Sequence, residues 1–568
     1  MIRLLTILFL LSTQVLLSQN LMIRSVSIID VETGQVMPNQ DISITGGVIR
    51  EIKDASGELN EGDINGEGYY LIPGLIDAHI HLFQSGGLYT RPDAIDLRDV
   101  RPYDEEIAWC RENAQDILRR YLACGITTTI DVGGPMHNFK IRDSLNLDLS
   151  SATIYLTGPL ISTYQPKEFQ IADPPIIKVD TPEEARSLVQ RQLPYQPDFI
   201  KIWYIALKPQ DALDDYPIIE ATIQEAHLHD LPVAVHATEL TTAKLALKAG
   251  ADYLVHSVDD VRLDQEFVDL VKTSKTVISP TLIVSGQYDK AFLSEYEYSE
   301  EDFRYAPPIP LGTMSDLNHL REPELIQTYK AYRAQIEAMN AVRDTVKYEN
   351  YKKLVRNQIP LALGTDAGNI GTMHASSYYA EIRAMQARGI SNQTILKSAT
   401  IDAARSIQKE NEIGSIAIGK QADLVLLREN PLANIMAIQQ IESVIHQGIA
   451  YNPSDILLTT PELLVQHQLN AYNGHHLKAF LAPYAEDVKI YQFPDELIGE
   501  GKAYMENQYQ FIEENPDLHC ELRSRIILGN TIIDHERVIF DKAKEPIEVI
   551  AVYKVIGEKI SEVYFIDN

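Results

Sequence analysis

The chain has 568 residues, of which 45% are hydrophobic and 23% charged, the profile of a globular protein with two or three domains. A formal net charge of −30 excludes nucleic acid as a partner, because phosphate binding needs a basic surface. The cysteines are Cys110, Cys124 and Cys520, with no CxxC, so no disulfide framework is expected and any metal must take nitrogen and oxygen ligands.

Residues 1–18 carry Arg3, an apolar run from Leu4 to Leu11 and a small residue at Ser18. This is the shape of a secretory signal peptide, too short to span a bilayer, and it predicts export to the periplasm or the extracellular space. No later segment reads as a membrane span. From Met22, short alternating strands with turn residues ("IRSVSIIDVETGQVM", "DISITGGVIREI") predict the first part of a small β-sandwich over 19–68. The same texture returns over 413–452, so the two pieces are expected to complete one sandwich with a domain inserted between them.

Over 69–412 apolar strands alternate with amphipathic helices such as "PEEARSLVQRQL" and "TTAKLALKAG". Eight strand candidates occur: "LIPGLIDAHIHL", "TTTIDVGG", "ATIYLTGP", "DFIKIW", "PVAVHA", "YLVHS", "TVISPTLIVS" and "IPLALGTDAG". This predicts a (β/α)8 TIM barrel, whose functional groups sit at the carboxyl ends of the strands. An acidic, tyrosine-rich helical segment from about Gly286 to Val355, with "PPIPLG" as a breaker, precedes the eighth strand and reads as a lid or pocket wall. A third unit over 453–568 follows the linker "NPSDILLTTP". "ELLVQHQLNAYN", "HHLKAFLAPYAEDV" and "GKAYMENQYQFIEEN" read as helices, and long strands follow with a hairpin at Gly529-Asn530, giving an α+β domain. With every metal candidate upstream of it, its removal is expected to leave the metal site intact.

In "GLIDAHIHLF", His79 and His81 lie two apart on an extended strand and point to one face, half of a ready metal site. Lys201 lies within the fourth strand, His236 ends the fifth, His256 the sixth and Asp366 the eighth. Four histidines and an aspartate converging on one barrel mouth require a cation or a dense hydrogen-bond network. A lysine in an apolar strand is costly unless paired or chemically changed. Zinc is the default for such ligands, with manganese, iron or cobalt as alternatives.

"PGLIDAHIHL", "AVHATE", "ADYLVHS", "LGTDAG" and "TIDAARSIQKENEIGSIAIGKQADLVLL" occur in the order in which the amidohydrolase superfamily carries its metal motifs, and the chain from Ile23 to Tyr451 resembles that superfamily, in its imidazolonepropionase- and prolidase-like branch. The resemblance implies two divalent metals, His79, His81 and Asp366 holding one, His236 and His256 the other, and a carbamate on Lys201 bridging them. It implies hydrolysis of a C–N amide bond in a dipeptide-like, N-acyl amino acid or cyclic amide substrate by a metal-bridging hydroxide, with Asp366 as catalytic acid–base. Glu239, three residues after His236, offers a different mechanism: a mononuclear deaminase or cyclic-amide hydrolase in which it shuttles protons. A third reading is a non-catalytic, metal-stabilised binding protein.

His137, Tyr204 and His374, each near a strand end, are candidates for substrate contact, with a solvated or core-satisfied role as the alternative reading. The final unit, through "AYN...LKAFLAPYAEDVKIY", "RIILGNTIIDHE" and "IAVYKVIGEKISEVYFI", resembles the SnoaL-like, ketosteroid-isomerase-like cone fold. Many relatives carry an aspartate where His476 stands, a departure that puts isomerase chemistry in doubt. The domain is expected to serve homo-oligomer formation or accessory binding, with His535 and Glu536 as a core pair inside the cone.

Overall fold

The first sheet is assembled from distant parts of the chain. In the computed structural model, which describes residues 20–206 and 208–567, strands Asn20–Ile29, Val36–Thr45, Val48–Asp54, Ile64–Asn65 and Tyr70–Pro73 join Leu424–Leu427, Ile441–His446 and Ile449–Tyr451 in one eight-stranded sheet. The signal peptide expected over residues 1–18 lies outside the described residues. Tyr70–Pro73 runs antiparallel to Leu424–Leu427 and forms the seam. Ile49 N–H donates to Lys420 O at 2.9 Å and Ala422 N–H to Gly47 O at 2.8 Å, so the far edge curls back onto the seam. Ile23, Ile28, Ile42, Leu71, Leu424 and Ile445 fill the space enclosed.

The first piece extends to Pro73, beyond the expected boundary at residue 68. The apolar run that reads as one strand is broken at Gly74, where an added Cβ would stand 2.0 Å from Thr127 Oγ1. Only glycine lets the chain cross from sheet to barrel this close to its neighbour.

The barrel strands are Leu75–Ile80, Ile126–Asp131, Thr153–Leu156 continued by Leu160–Ser162, Ile200–Trp203, Val233–His236, Tyr253–Val255 and Val277–Ser279, each parallel to its neighbour. Parallel bridges from Ile278 to Leu361 and from Ile80 to Ala367 make residues 361–367 the eighth stave and close the ring. Strands buried on both faces favour apolar and β-branched runs, and these, including the threonine-rich Ile126–Asp131, make the eight visible in the sequence. Helix Pro182–Gln192 starts where Thr181 Oγ1 accepts Glu184 N–H, and helix Leu240–Ala249 stops at Gly250, whose φ is 104°.

Between the seventh and eighth strands the inserted segment forms helices Val284–Phe292, Glu300–Tyr305, Pro308–Thr313, Glu324–Ala331 and Arg333–Arg356. The expected breaker "PPIPLG" is itself a short helix, because proline in a first turn lacks only an N–H that has no helical acceptor. No helix among the described residues is long and apolar enough to cross a membrane.

The C-terminal domain places helix Pro461–Asn473 against a six-stranded sheet made of Tyr484–Gln492, Glu496–Glu500, His519–Leu528, Thr531–Ile539, Ile547–Ile556 and Lys559–Asp567. The helix expected over "HHLKAFLAPYAEDV" ends at Leu481 and its tail is strand, while "GKAYMENQYQFIEEN" forms two short helices, Lys502–Gln508 and Phe511–Glu514. Leu528 pairs with Thr531 across the expected hairpin. His535 and Glu536 are not a core pair, since neighbours on a strand face opposite ways. His535 points outward to Glu548, and Glu536 points inward to Tyr553 OH at 3.0 Å. His476 caps helix Leu477–Leu481 by accepting Ala479 N–H.

This domain shares its core with the barrel insert. One apolar cluster holds Phe292, Phe303 and Leu311 of the insert together with Val465, Leu469 and Phe480. Asn470 Nδ2 donates to Pro308 O at 2.7 Å, and the His319 and His519 rings meet at 2.8 Å between Nδ1 and Nε2. Each large apolar side chain uncovered costs about 1.5–3 kcal/mol. A chain ending at Asn452 is therefore expected to melt at least about 5 °C below the full chain and to aggregate. Thermal unfolding with light scattering measures this; an unchanged midpoint would establish the independence that the sequence suggests.

Candidate metal centre

Strand ends bring the polar groups together. His79 lies at the end of the first barrel strand, fully buried, with Nε2 3.1 Å from Asp366 Oδ1. His81 Nε2 lies 3.4 Å from the same oxygen, and His256 Nδ1 lies 3.8 Å from Asp366 Oδ2. The His256 ring is 4.9 Å from that of His79 and 4.3 Å from that of His236. One ligand atom from each of His79, His256 and Asp366 falls within a mutual distance of 4.8 Å.

Both ring nitrogens of His79 and Oδ1 of Asp366 are buried without a hydrogen-bond partner. Leaving such atoms unmatched costs about 1–3 kcal/mol each. A divalent cation would take His79 Nε2, which faces Asp366 at 3.1 Å, together with Asp366 Oδ1, so these two donors fit a metal, while His79 Nδ1 points away from it. His81 Nδ1–H donates to Gly133 O at 2.9 Å, and His256 Nδ1 lies 2.8 Å from Thr281 Oγ1. Such outer partners fix the rings and leave each Nε2 available as a ligand.

Burial pushes the His79 imidazole down to about 4, and His236 and His256 also lie well below the usual range because burial disfavours their charged forms. The rings are thus neutral at pH 7, the form that ligates metal. Burial acts to raise the Asp366 carboxyl, but His79, His81 and His256 around it hold it well below the carboxylate range. Lys201 is 1% exposed, and burial pushes its ammonium down to about 7 against the pull of Asp366 and Asp131. Its Nζ forms no hydrogen bond among the described residues.

The backbone is bent to make this arrangement. His256 and Asp366 have φ of 78° and 62°, in the left-handed region that is sparsely populated outside glycine. A Cβ at Gly364 would stand 2.5 Å from Ser279 Oγ and 2.7 Å from His79 Cβ, so glycine is needed for the eighth strand to reach the first. Asp77, fully buried, accepts from Thr365 Oγ1 at 2.7 Å and Thr365 N–H at 3.1 Å, tying the strand of His79 to the residue before Asp366.

A cavity of about 370 Å³ opens over the site, lined by His81, Lys201, His236, His256 and Asp366. The residues expected to touch ligand lie elsewhere. Tyr204 is buried with its hydroxyl donating to Ala212 O, His374 is held between Tyr121 OH at 3.1 Å and Gln84 O at 2.8 Å, and His137 starts helix His137–Leu145. None of the three lines the cavity, and Arg91, Trp203, Tyr288 and Lys347 line it instead. Glu239 does not line it either; its carboxylate accepts from Thr242 Oγ1 at 3.1 Å at the start of helix Leu240–Ala249. Asp77, Arg91, Tyr288 and Lys347 escaped the sequence reading. For Lys347 a signal existed, because Lys347, Asn350, Tyr351 and Leu354 share the buried face of one helix.

Fold and site together define a (β/α)8 barrel that gathers at its mouth nitrogen and oxygen groups able to ligate a divalent cation. The chain belongs to the amidohydrolase family, whose family model matches residues 70–450, and a SnoaL-like domain matches residues 465–563. It is similar to an imidazolonepropionase of Picrophilus torridus, 29% identical over 118 residues, which are 21% of this chain and 28% of that one. Over 140 residues it is 24% identical to a 5-methylthioadenosine/S-adenosylhomocysteine deaminase of Teredinibacter turnerae, covering 23% of this chain and 32% of that one. The matched stretches thus span about a third or less of these curated relatives. Among solved structures, a Xaa-Pro dipeptidase with bound methionine superposes with a TM-score of 0.58 at 22% identity, over 76% of this chain and 100% of that one. Molinate hydrolase gives a TM-score of 0.58 at 18% identity, over 77% and 95%. At these identities the likeness is one of fold.

Proposed function

We propose that the protein is a metal-dependent hydrolase that cleaves a C–N amide bond in a small substrate, dipeptide-like, N-acylated amino acid or cyclic amide. The observation that carries this reading is the set of buried, unmatched ligand atoms on His79 and Asp366 beside the cavity. His79, His81 and Asp366 would hold one divalent metal, His236 and His256 a second, and Lys201, as a carbamate, would contribute to both. A bound divalent metal supplies a Lewis acid and lowers the pKa of coordinated water towards about 7. Asp366, kept ionised by the histidines around it, orients the attacking water, accepts its proton and returns it to the leaving nitrogen. Lys201 supports the carbamate assignment because burial favours its neutral amine, the form that adds carbon dioxide. The carbamate releases a proton and carries a negative charge.

Metal analysis and a substrate screen test the reading. Purified protein is expected to carry about two divalent metals per chain, to lose turnover on chelation and to regain it with zinc, manganese or cobalt. The screen should contain dipeptides, N-acyl amino acids and cyclic amides. A fully metal-loaded protein that cleaves none of them would overturn the proposal.

A further inference from the structure

The amide-hydrolase reading leaves open what part of the substrate the cavity grips away from the scissile bond. Three basic side chains line the cavity among the described residues: Arg91, Lys201 and Lys347. Lys201 lies at the metal centre. Arg91 is engaged: Nε and Nη2 bind the Asp93 carboxylate at 2.7 and 2.6 Å, and Nη1 binds Asn369 Oδ1 at 2.6 Å.

Lys347 differs. It comes from helix Arg333–Arg356 of the insert and is only 7% exposed. Its Nζ donates to Ser285 Oγ at 2.8 Å. The carboxylates of Asp259 and Asp344 stand 3.8 Å away, near enough to offset the cost of burying the charge but beyond hydrogen-bond reach. Two of its three N–H bonds therefore remain unengaged among the described residues, in the wall of the cavity that holds His256 and Asp366. Ser285 lies four residues beyond Thr281, the hydroxyl partner of His256, which links this cation to the metal centre through one short segment.

We propose that Lys347 anchors a carboxylate of the substrate, so that the protein acts on amides bearing a free acid, N-acyl amino acids or dipeptides, in preference to neutral amides. The proposal rests on the amide-hydrolase reading. An ammonium with free donors in a partly dewatered cavity forms charge-assisted hydrogen bonds to a carboxylate, and these are about twice as strong as neutral ones.

The test uses the metal-loaded full chain and two matched pairs, N-acetyl-leucine with N-acetyl-leucinamide and Gly-Pro with its carboxamide. Wild type is expected to prefer the acid in each pair by about 10- to 100-fold in kcat/KM. In Lys347→Met that ratio should fall to near one, with the loss of acid turnover residing in KM, and Lys347→Arg should restore part of it. Equal use of acid and carboxamide by wild type would overturn the anchor while leaving the hydrolase reading intact. So would a Lys347→Met protein that loses both members of a pair equally and melts lower, the behaviour of a mere structural tie. If wild type cleaves neither pair, the hydrolase reading fails for these substrates, and ligand-induced shifts of its thermal midpoint judge the anchor alone. Stabilisation by the acids and not by the carboxamides upholds it; no difference ends it.

Discussion

On the two-metal proposal, Lys201→Ala is expected to lose at least one metal per chain and about 10³-fold or more in kcat, because no neighbouring side chain could replace a ligand that would serve two cations. Acetate or propionate should restore part of both by filling the space of the missing carbamate. Lys201→Arg should fail without rescue, since a guanidinium cannot add carbon dioxide and would place a fixed positive charge against the metals. The measurements are metal content by elemental analysis and turnover with and without added carboxylate. A Lys201→Ala protein that keeps one full metal equivalent and substantial turnover would end the two-metal assignment. Glu239→Gln would then be the next variant to measure, because the one-metal mechanism runs its protons through that residue.

Asp366→Asn is the second large effect. The change is nearly isosteric but removes the carboxylate proposed as proton acceptor, and kcat is expected to drop by about 10²- to 10⁴-fold. Metal affinity should fall as well, since Asp366 Oδ1 stands 3.1 Å from His79 Nε2 and 3.4 Å from His81 Nε2, and the variant lacks its charge. Assays at saturating metal separate the two losses. An asparagine variant retaining more than about a tenth of wild-type kcat at full metal loading would remove Asp366 from the proton path.

The barrel was legible because its strands are buried on both faces and most are written as short apolar or β-branched runs, several ending in the group they present. His79, His81, His236, His256 and Asp366 stand out for that reason: polar residues at the ends of apolar strands are costly unless employed. Arg91 was not legible, because it reaches the cavity from the loop after the first strand, where no periodicity fixes direction, and Tyr288 lies on the short helix Val284–Phe292 of the insert, whose placement over the cavity no local pattern announces. His137, Tyr204 and His374 do not line the cavity, for a related reason. Nearness to a strand end in sequence does not decide whether a side chain turns into the cavity or, like His374, into a pair of hydrogen bonds in the core. The C-terminal domain read as separable because its strands and hairpin are local, whereas its attachment through Phe303 and Val465 joins residues with no sequence relation.

The seam between Tyr70–Pro73 and Leu424–Leu427 also sets a timetable for biosynthesis. Leu424 leaves the ribosome roughly 350 residues after Pro73, its partner in the sheet. At about 5–20 residues per second that is a delay of roughly 20–70 s. Throughout it Tyr70–Pro73 has a hydrogen-bonding edge with no strand to meet it, and the apolar faces of Ile28, Leu71 and their neighbours lack the residues that cover them. The nascent chain must carry a sticky half-sheet for most of its synthesis, so the burden of avoiding aggregation falls on whatever shields the emerging polypeptide rather than on the finished molecule.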